Sequence, residues 1–316
     1  MKFPFFGRKK PVSKDEPITI PALSFDEDTN AENYIADDGL KTAINLALLM
    51  GKPLLITGEP GTGKTQLAGY VANQYLDETK EEKIEDRLFR FNTKTTSTAT
   101  DLFYRYDSLQ HFQYVQNNKD TLNNKDVEEK FIKYQAFGKA IKSGKRCVVL
   151  IDEIDKAPRD LPNDILDVME DLSFEVPEID AIGNKRIRAK AEHRPIVIMT
   201  SNSEKNLPDA FLRRCVFFHI EFPNKNKLKT ILQARTFKTT GENLDLAIAH
   251  FDYIRQTVKR KKPSTAEFIA WMAIMESMDF DFSQFKNVNM LNDTAKADLQ
   301  SSYAVLVKDK EDLKEL

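Results

Sequence analysis

The sequence is poor in the residues that several protein classes depend on. It has two cysteines and four histidines in 316 residues. Two thiols cannot build a disulfide framework, and Cys147 and Cys215 each border an apolar run, so both are expected as reduced core residues. His111, His193, His219 and His250 are scattered without metal-ligand spacing, and no zinc site is expected. No run comes near the roughly 20 apolar residues of a membrane span. The segment from Met1 to Lys10 places its basic cluster after its apolar residues and has no long apolar core. No secretory leader is therefore expected, and the cytoplasm is the simplest compartment. An excess of one charge is missing too. The 47 lysines and arginines against 49 aspartates and glutamates leave a net charge of −2, which gives no global pull toward nucleic acid or an anionic membrane.

What is present is the composition of a globular protein, 41% hydrophobic and 30% charged, at a length that suits a large domain with a smaller companion. Residues 1–30 mix proline, lysine and acidic residues with little periodicity and are expected to form a flexible or loosely docked tail. Arg8, Lys9 and Lys10 within it are expected to be solvated charges. Leu40, Ile44, Ala47 and Leu48 recur at helical spacing. Apolar strand-like runs follow at Pro53 to Thr57, Leu88 to Phe91, Cys147 to Ile151, Pro195 to Met199 and Val216 to Ile220. Continuous apolar runs alternating with helices predict a parallel sheet buried on both faces. Residues 116–130, rich in Asn and Lys, are expected to form a loop or solvent-facing insertion. Beyond Phe222-Pro223 only helices are predicted. Leu244, Ile248, Phe251, Ile254 and Val258 form one apolar stripe; Phe268, Trp271, Met272 and Met275 form another, opened by a capping box at Ser264 and Glu267. A domain boundary is expected near residue 223.

Gly58-Glu59-Pro60-Gly61-Thr62-Gly63-Lys64-Thr65 matches G-x-x-x-x-G-K-[ST], between an apolar strand and an amphipathic helix carrying Leu67, Ala68, Val71 and Tyr75. Glycines let the backbone turn tightly and bring its amides to phosphates, and the helix start adds the positive end of its dipole. Lys64 is expected on the β- and γ-phosphates of ATP, and Thr65 on magnesium. Asp152 and Glu153 end the run Val148 to Ile151, 87 residues after Thr65, where ligands of open α/β sheets sit. Asp152 is expected to hold magnesium and Glu153 to orient and polarise the attacking water, although a helix-capping Asp152 would fit the same position. Thr200-Ser201-Asn202 ends a further strand, so Asn202 is placed to hold that water or the γ-phosphate. Arg213 and Arg214 immediately precede the last strand. They suit either surface ion pairs or a shared phosphate charge, because a guanidinium stays ionised.

With these four stations in order the chain resembles the AAA+ ATPases, and within them the MoxR-like group, from about Asn33 to the C-terminal helices. The most specific strings are the glycine loop, Ile151-Asp152-Glu153-Ile154-Asp155-Lys156-Ala157 and Ala210-Phe211-Leu212-Arg213-Arg214-Cys215. The resemblance implies an α/β P-loop core over residues 31–222, its parallel five-stranded sheet sandwiched by helices, and a small all-helical lid domain over residues 223–316. It implies a homo-oligomeric ring, commonly hexameric, with ATP and magnesium between subunits. Arg214 best matches the arginine finger that reaches a neighbour's site, with Arg213 a close second. Gln66 continues the nucleotide-binding loop, and Tyr34 and Ile35 would lie near the adenine. Phe174 to Pro177 and the basic segment Lys185 to Lys190 fall where the group carries hairpins facing a pore or partners. The chain departs from the group at Ala266, where an arginine of the lid is expected; Lys261 or Lys262 would have to replace it.

The function implied is a chaperone-like ATPase that remodels or activates a protein partner, a von Willebrand factor A domain protein fitting the group. A nucleic-acid-linked motor of a restriction or defence-type system is the alternative, with Lys185, Arg186, Arg188 and Lys190 as its basic stripe. A small-molecule P-loop kinase needs no arginine from a neighbour and fits least. Lys64→Ala is expected to weaken nucleotide binding and abolish phosphate release, measured by nucleotide titration and a phosphate assay.

Overall fold

The computed structural model describes residues 31–76, 81–118, 122–179, 186–203, 207–235, 237–291 and 293–316. The expected tail, residues 1–30, and Lys185 lie outside these. The first element after a 3-10 turn at Ala31–Asn33 is helix α1, Asp38–Met50. Asp37 opens it by accepting the Leu40 amide at 2.8 Å, and Gly51 closes it at φ 60°, a conformation that costs glycine little. Strand β1 is Leu54–Gly58 and helix α2 is Lys64–Asn73. Strands β2, Leu88–Asn92, and β3, Tyr104–Tyr106, precede helices α3, Ser108–Asn117, and α4, Asn124–Phe131. Strand β4, Ile132–Tyr134, helix α5, Ala136–Ser143, and strand β5, Val148–Asp152, follow. Helix α6, Leu161–Asp171, leads to a short ribbon of β6, Ser173–Phe174, and β7, Ile187–Arg188. Strand β8, Ile196–Ser201, helix α7, Asp209–Leu212, and strand β9, Val216–Ile220, complete the α/β part.

Five of these strands form one parallel sheet in the order β2-β5-β8-β1-β9. Its inner strands are apolar up to their C-terminal ends because neither face meets water: β1 is buried at every residue, and so is β8. Helices flank the sheet, α2 against β1, β5 and β8, α5 against β2 and β5, and α1 against β9 and β1. The register aligns Thr57 with Ser201 and Ile151 with Met199, so the C-terminal ends of β1, β5 and β8 finish side by side.

Two parts add to the expectation. The Asn/Lys-rich stretch 116–130, expected as a loop or solvent-facing insertion, contains a helix, α4. Asn123 and Asp126 cap each other's amides at 2.9 and 3.1 Å, and Val127 and Phe131, four residues apart, are buried. Helix α3 is carried beside it on the antiparallel β3–β4 pair and has no buried residue. His111 of α3 stacks on Phe131 at 4.4 Å, while Leu109, Phe112 and Val115 point outward, all more than half exposed. The ribbon β6–β7 does form at the expected hairpin, yet Phe174 and Val176 are buried, with Phe174 stacked on Phe103 at 4.7 Å. Glu175, Pro177, Arg186, Arg188 and Lys190 of the same segments are exposed.

The chain divides into two compact units: residues 36–59 and 63–220, and residues 221–316 grouped with the short segments 31–35 and 60–62. The second unit is helical: α8, Lys225–Gln233, α9, Gly241–Thr257, α10, Thr265–Ser277, α11, Asp293–Leu306, and α12, Lys310–Lys314. Both predicted stripes are buried, and the capping box forms as the Glu267 amide donates to Ser264 Oγ at 3.2 Å and the Ser264 amide to Glu267 Oε2 at 2.7 Å. Trp271 is fully buried and donates its Nε1–H to Ser302 Oγ at 2.8 Å.

His250 is buried in the same aromatic cluster, stacked on Phe285 at 4.2 Å with Nε2 2.9 Å from Tyr303 Oη. Burial disfavours its charged form and pushes its pKa down to about 4. The unfolded chain therefore binds a proton near pH 6.5 that the folded chain refuses until about pH 4. The stabilisation is complete above pH 6.5 and declines as pH falls toward 4, by up to about 3 kcal/mol. Thermal melts at pH 7.5 and 5.0 are expected to show about 2 kcal/mol of that loss, and His250→Gln to reduce the gap between the two pH values.

Candidate functional site

The glycine loop joins β1 to α2 through backbone that side chains avoid: Gly61 has φ 71°, and Gly63, which caps α2, has φ 86°. Glu59, Pro60 and Gly61 are exposed, while Thr62, Gly63, Thr65 and Gln66 are half-buried. At its N-terminus α2 has amides with no partner within the helix, ready for anionic oxygens.

Lys64 is the exception to that openness. Only 7% of its surface is exposed, and its three N–H donors are all engaged: Gly58 O at 2.7 Å, Glu59 O at 2.9 Å and Asn202 Oδ1 at 2.9 Å. Burial pulls its pKa below the ordinary lysine value, and the carboxylates of Asp152, Asp155, Glu153 and Glu59 pull the other way.

Asp152 ends β5 beside that ammonium. Thr65 Oγ1 donates to it, 3.2 Å from each carboxylate oxygen. A hydroxyl and a carboxylate are the hard oxygen donors that magnesium takes, and neighbouring ligands on an octahedral ion lie about 3 Å apart. The pair fits that ion. Thr200, the residue of β8 after Met199, is buried and donates its hydroxyl to Asp152 Oδ1. The same hydroxyl accepts the Glu153 amide at 3.0 Å. Glu153 itself stands at φ 57° and ψ 49°, left-handed backbone that is uncommon for a side-chain-bearing residue. Its carboxylate is 41% exposed and accepts from Lys156 Nζ at 2.5 Å. Asn202 is exposed, and its amide donates to Asp155 Oδ1 at 3.4 Å.

Gly58, Lys64, Thr65, Asp152, Glu153 and Asn202 thus fall in one cluster at the C-terminal ends of β1, β5 and β8. Arg213 and Arg214 fall elsewhere. They close α7 just before β9 begins, so they lie at the N-terminal end of the same parallel sheet. Both are exposed, and Arg214 Nη1 is 3.9 Å from Asp167 Oδ1 on α6. Tyr34 and Ile35 are half-buried behind the Ala31–Asn33 turn.

Sequence reasoning passes over three members of the cluster, Thr200, Asp155 and Lys156. Thr200 is recoverable by aligning the apolar runs of β5 and β8 from their strand starts, which sets it beside Asp152. Asp155 and Lys156 fall within the string Ile151 to Ala157, but nothing in it sets them against Asn202 and Glu153, because charged residues after a strand are ordinary.

A family model described as ATPase family associated with various cellular activities (AAA) matches residues 54–224, more than half of the chain. Among solved structures the chain is similar to a candidate ATPase from Cytophaga hutchinsonii ATCC 33406. The two share 15% sequence identity over 88% of this chain and 93% of that one, at a TM-score of 0.42. No curated protein matches the chain.

Thr200→Val keeps the shape of the side chain and removes the hydroxyl that serves both carboxylate residues. Loss of such an outer partner is expected to lower ATP turnover by about tenfold or more with nucleotide affinity retained. Steady-state phosphate release and nucleotide titration on the same preparation measure the two.

Proposed function

Since the chain belongs to the AAA ATPases and is thereby an ATP hydrolase, we propose that it is a MoxR-like member whose subunits form a ring and share their ATP sites. In this function the energy of hydrolysis remodels or activates a protein partner, a protein with a von Willebrand factor A domain being the expected kind, in the cytoplasm.

The roles follow the geometry of the cluster. The loop from Gly58 to Thr65, through its backbone amides other than at Pro60, and the start of α2 receive the phosphates, with Gln66 continuing the loop. Lys64 exchanges its internal acceptors for β- and γ-phosphate oxygens. Thr65 and Asp152 hold magnesium, which when bound neutralises charge on the phosphates. Glu153 accepts a proton from the attacking water as the new P–O bond forms and the bond from the γ-phosphorus to the leaving oxygen breaks. Asn202 fixes the water or the γ-phosphate from the side. Tyr34 and Ile35 are assigned to the adenine, and residues 223–316 to the lid.

One observation supports sharing between subunits above the others. The cluster follows strand C-termini, whereas Arg213 and Arg214 precede a strand N-terminus. A five-residue strand such as β9 spans about 17 Å, which no single side chain bridges. An arginine that serves the γ-phosphate is therefore supplied by a neighbour, with Arg214 the first choice and Arg213 the second. A nucleic-acid-linked motor finds less support. It requires a free basic stripe, and Arg186 and Arg188 both pair with Asp171, Arg186 also lying 3.4 Å from Glu175.

Glu153→Gln protein with magnesium and ATP is expected to assemble into a ring of about six subunits, seen by light scattering. Arg214→Ala is expected to bind ATP at its own site and to lose turnover by about a thousandfold. A monomer that hydrolyses ATP at the assembled rate would sink the shared-site arrangement.

A further inference from the structure

Lys156 has no part in the reaction as described, yet its ammonium is bound to the group on which hydrolysis depends. Strand β5 stops at Asp152, and the 3-10 turn Ile154–Lys156 begins directly after Glu153. The Lys156 amide closes that turn on Glu153 O at 2.9 Å. Residues three apart eclipse one another in a 3-10 turn. The turn therefore sets the Lys156 ammonium over the Glu153 carboxylate, and Nζ donates to Oε2 at 2.5 Å. That hydrogen bond is the foremost reason the Lys156 pKa lies above the ordinary lysine value.

Exposed pairs three residues apart are common and mostly inert; Lys41 with Asp38 and Lys314 with Glu311 are two in this chain. Two features set Lys156 and Glu153 apart from them. The carboxylate belongs to the residue that meets the attacking water, and its backbone is fixed. Left-handed φ and ψ together with the amide bond to Thr200 Oγ1 fix the direction in which the Glu153 side chain leaves the backbone. Nor is the pair sealed from solvent, since the side chains are 53% and 41% exposed, so a water molecule is able to displace the ammonium.

We propose that Lys156 is a positioning residue that latches the Glu153 carboxylate away from the attacking water and so slows hydrolysis in the absence of a partner. This rests on Glu153 being the group that orients that water. With Oε2 engaged by the ammonium, the water must exchange with Nζ before it is aligned on the carboxylate. Exposed ion pairs are weak, so the latch restrains turnover by a small factor and does not abolish it.

The experiment measures the steady-state kinetics of the full chain, without a partner, for Lys156→Gln, Lys156→Arg, Glu153→Gln and the Lys156→Gln, Glu153→Gln double variant. Lys156→Gln is expected to raise kcat about two- to fivefold, the factor an exposed pair supports. The KM for ATP and the melting temperature should not move. Lys156→Arg, which can still pair with the carboxylate, is expected to restore the slow rate of the native protein. Both variants carrying Glu153→Gln are expected to be inactive. An unchanged or lower kcat in Lys156→Gln, with Glu153→Gln inactive, overturns the latch alone. A fast Lys156→Arg overturns it as well, because charge pairing would then not be the restraint. Substantial turnover by Glu153→Gln removes Glu153 from its assigned role and takes the latch with it.

Discussion

Three neighbouring strands that end together are the constraint on which this site depends. Because β5, β8 and β1 are adjacent, parallel and in register, the chain leaves the sheet three times at nearly the same place. Lys64 and Asn202 are 138 residues apart and 2.9 Å from one another; Thr65 and Asp152 are 87 apart and in hydrogen-bond contact. No local sequence preference brings such residues together. The pairing of the strands does, since burial on both faces keeps these runs inside the sheet and their parallel register sets the three exits side by side.

That placement sets the electrostatics. An ammonium with 7% of its surface exposed is costly to bury, and the carboxylates of Asp152, Asp155, Glu153 and Glu59 offset the cost. These carboxylates would in turn repel one another without the cation. The cluster is thus mutually dependent before any nucleotide arrives, and phosphate binding at Lys64 is an exchange of partners. The two carbonyls and one amide oxygen it leaves must find new donors.

The five strands and the two helical stripes are legible in the sequence because burial writes itself as unbroken apolar runs and as regular apolar spacing. The glycine loop is legible for a different reason: its backbone demands glycine at Gly61 and Gly63. Helix α4 is not legible, because two apolar residues, Val127 and Phe131, anchor it within an otherwise polar stretch. Neither are the partners of Glu153. Thr200 reaches it across a strand pairing, and Lys156 through a short turn whose conformation begins with one left-handed residue. What the sequence withholds here is the three-dimensional neighbour, since the chemistry of each residue was plain from the start.

Helix α3 contributes no buried residue, and its contacts with Phe131 come from His111 and Tyr114. Leu109, Phe112 and Val115 on its outer side carry almost none of the weight of the fold. Selection for stability therefore has little hold on these three positions. They can change size, polarity or charge across generations while the sheet and its site remain intact, which makes this helix a place where the protein is free to alter what it touches without altering what it is.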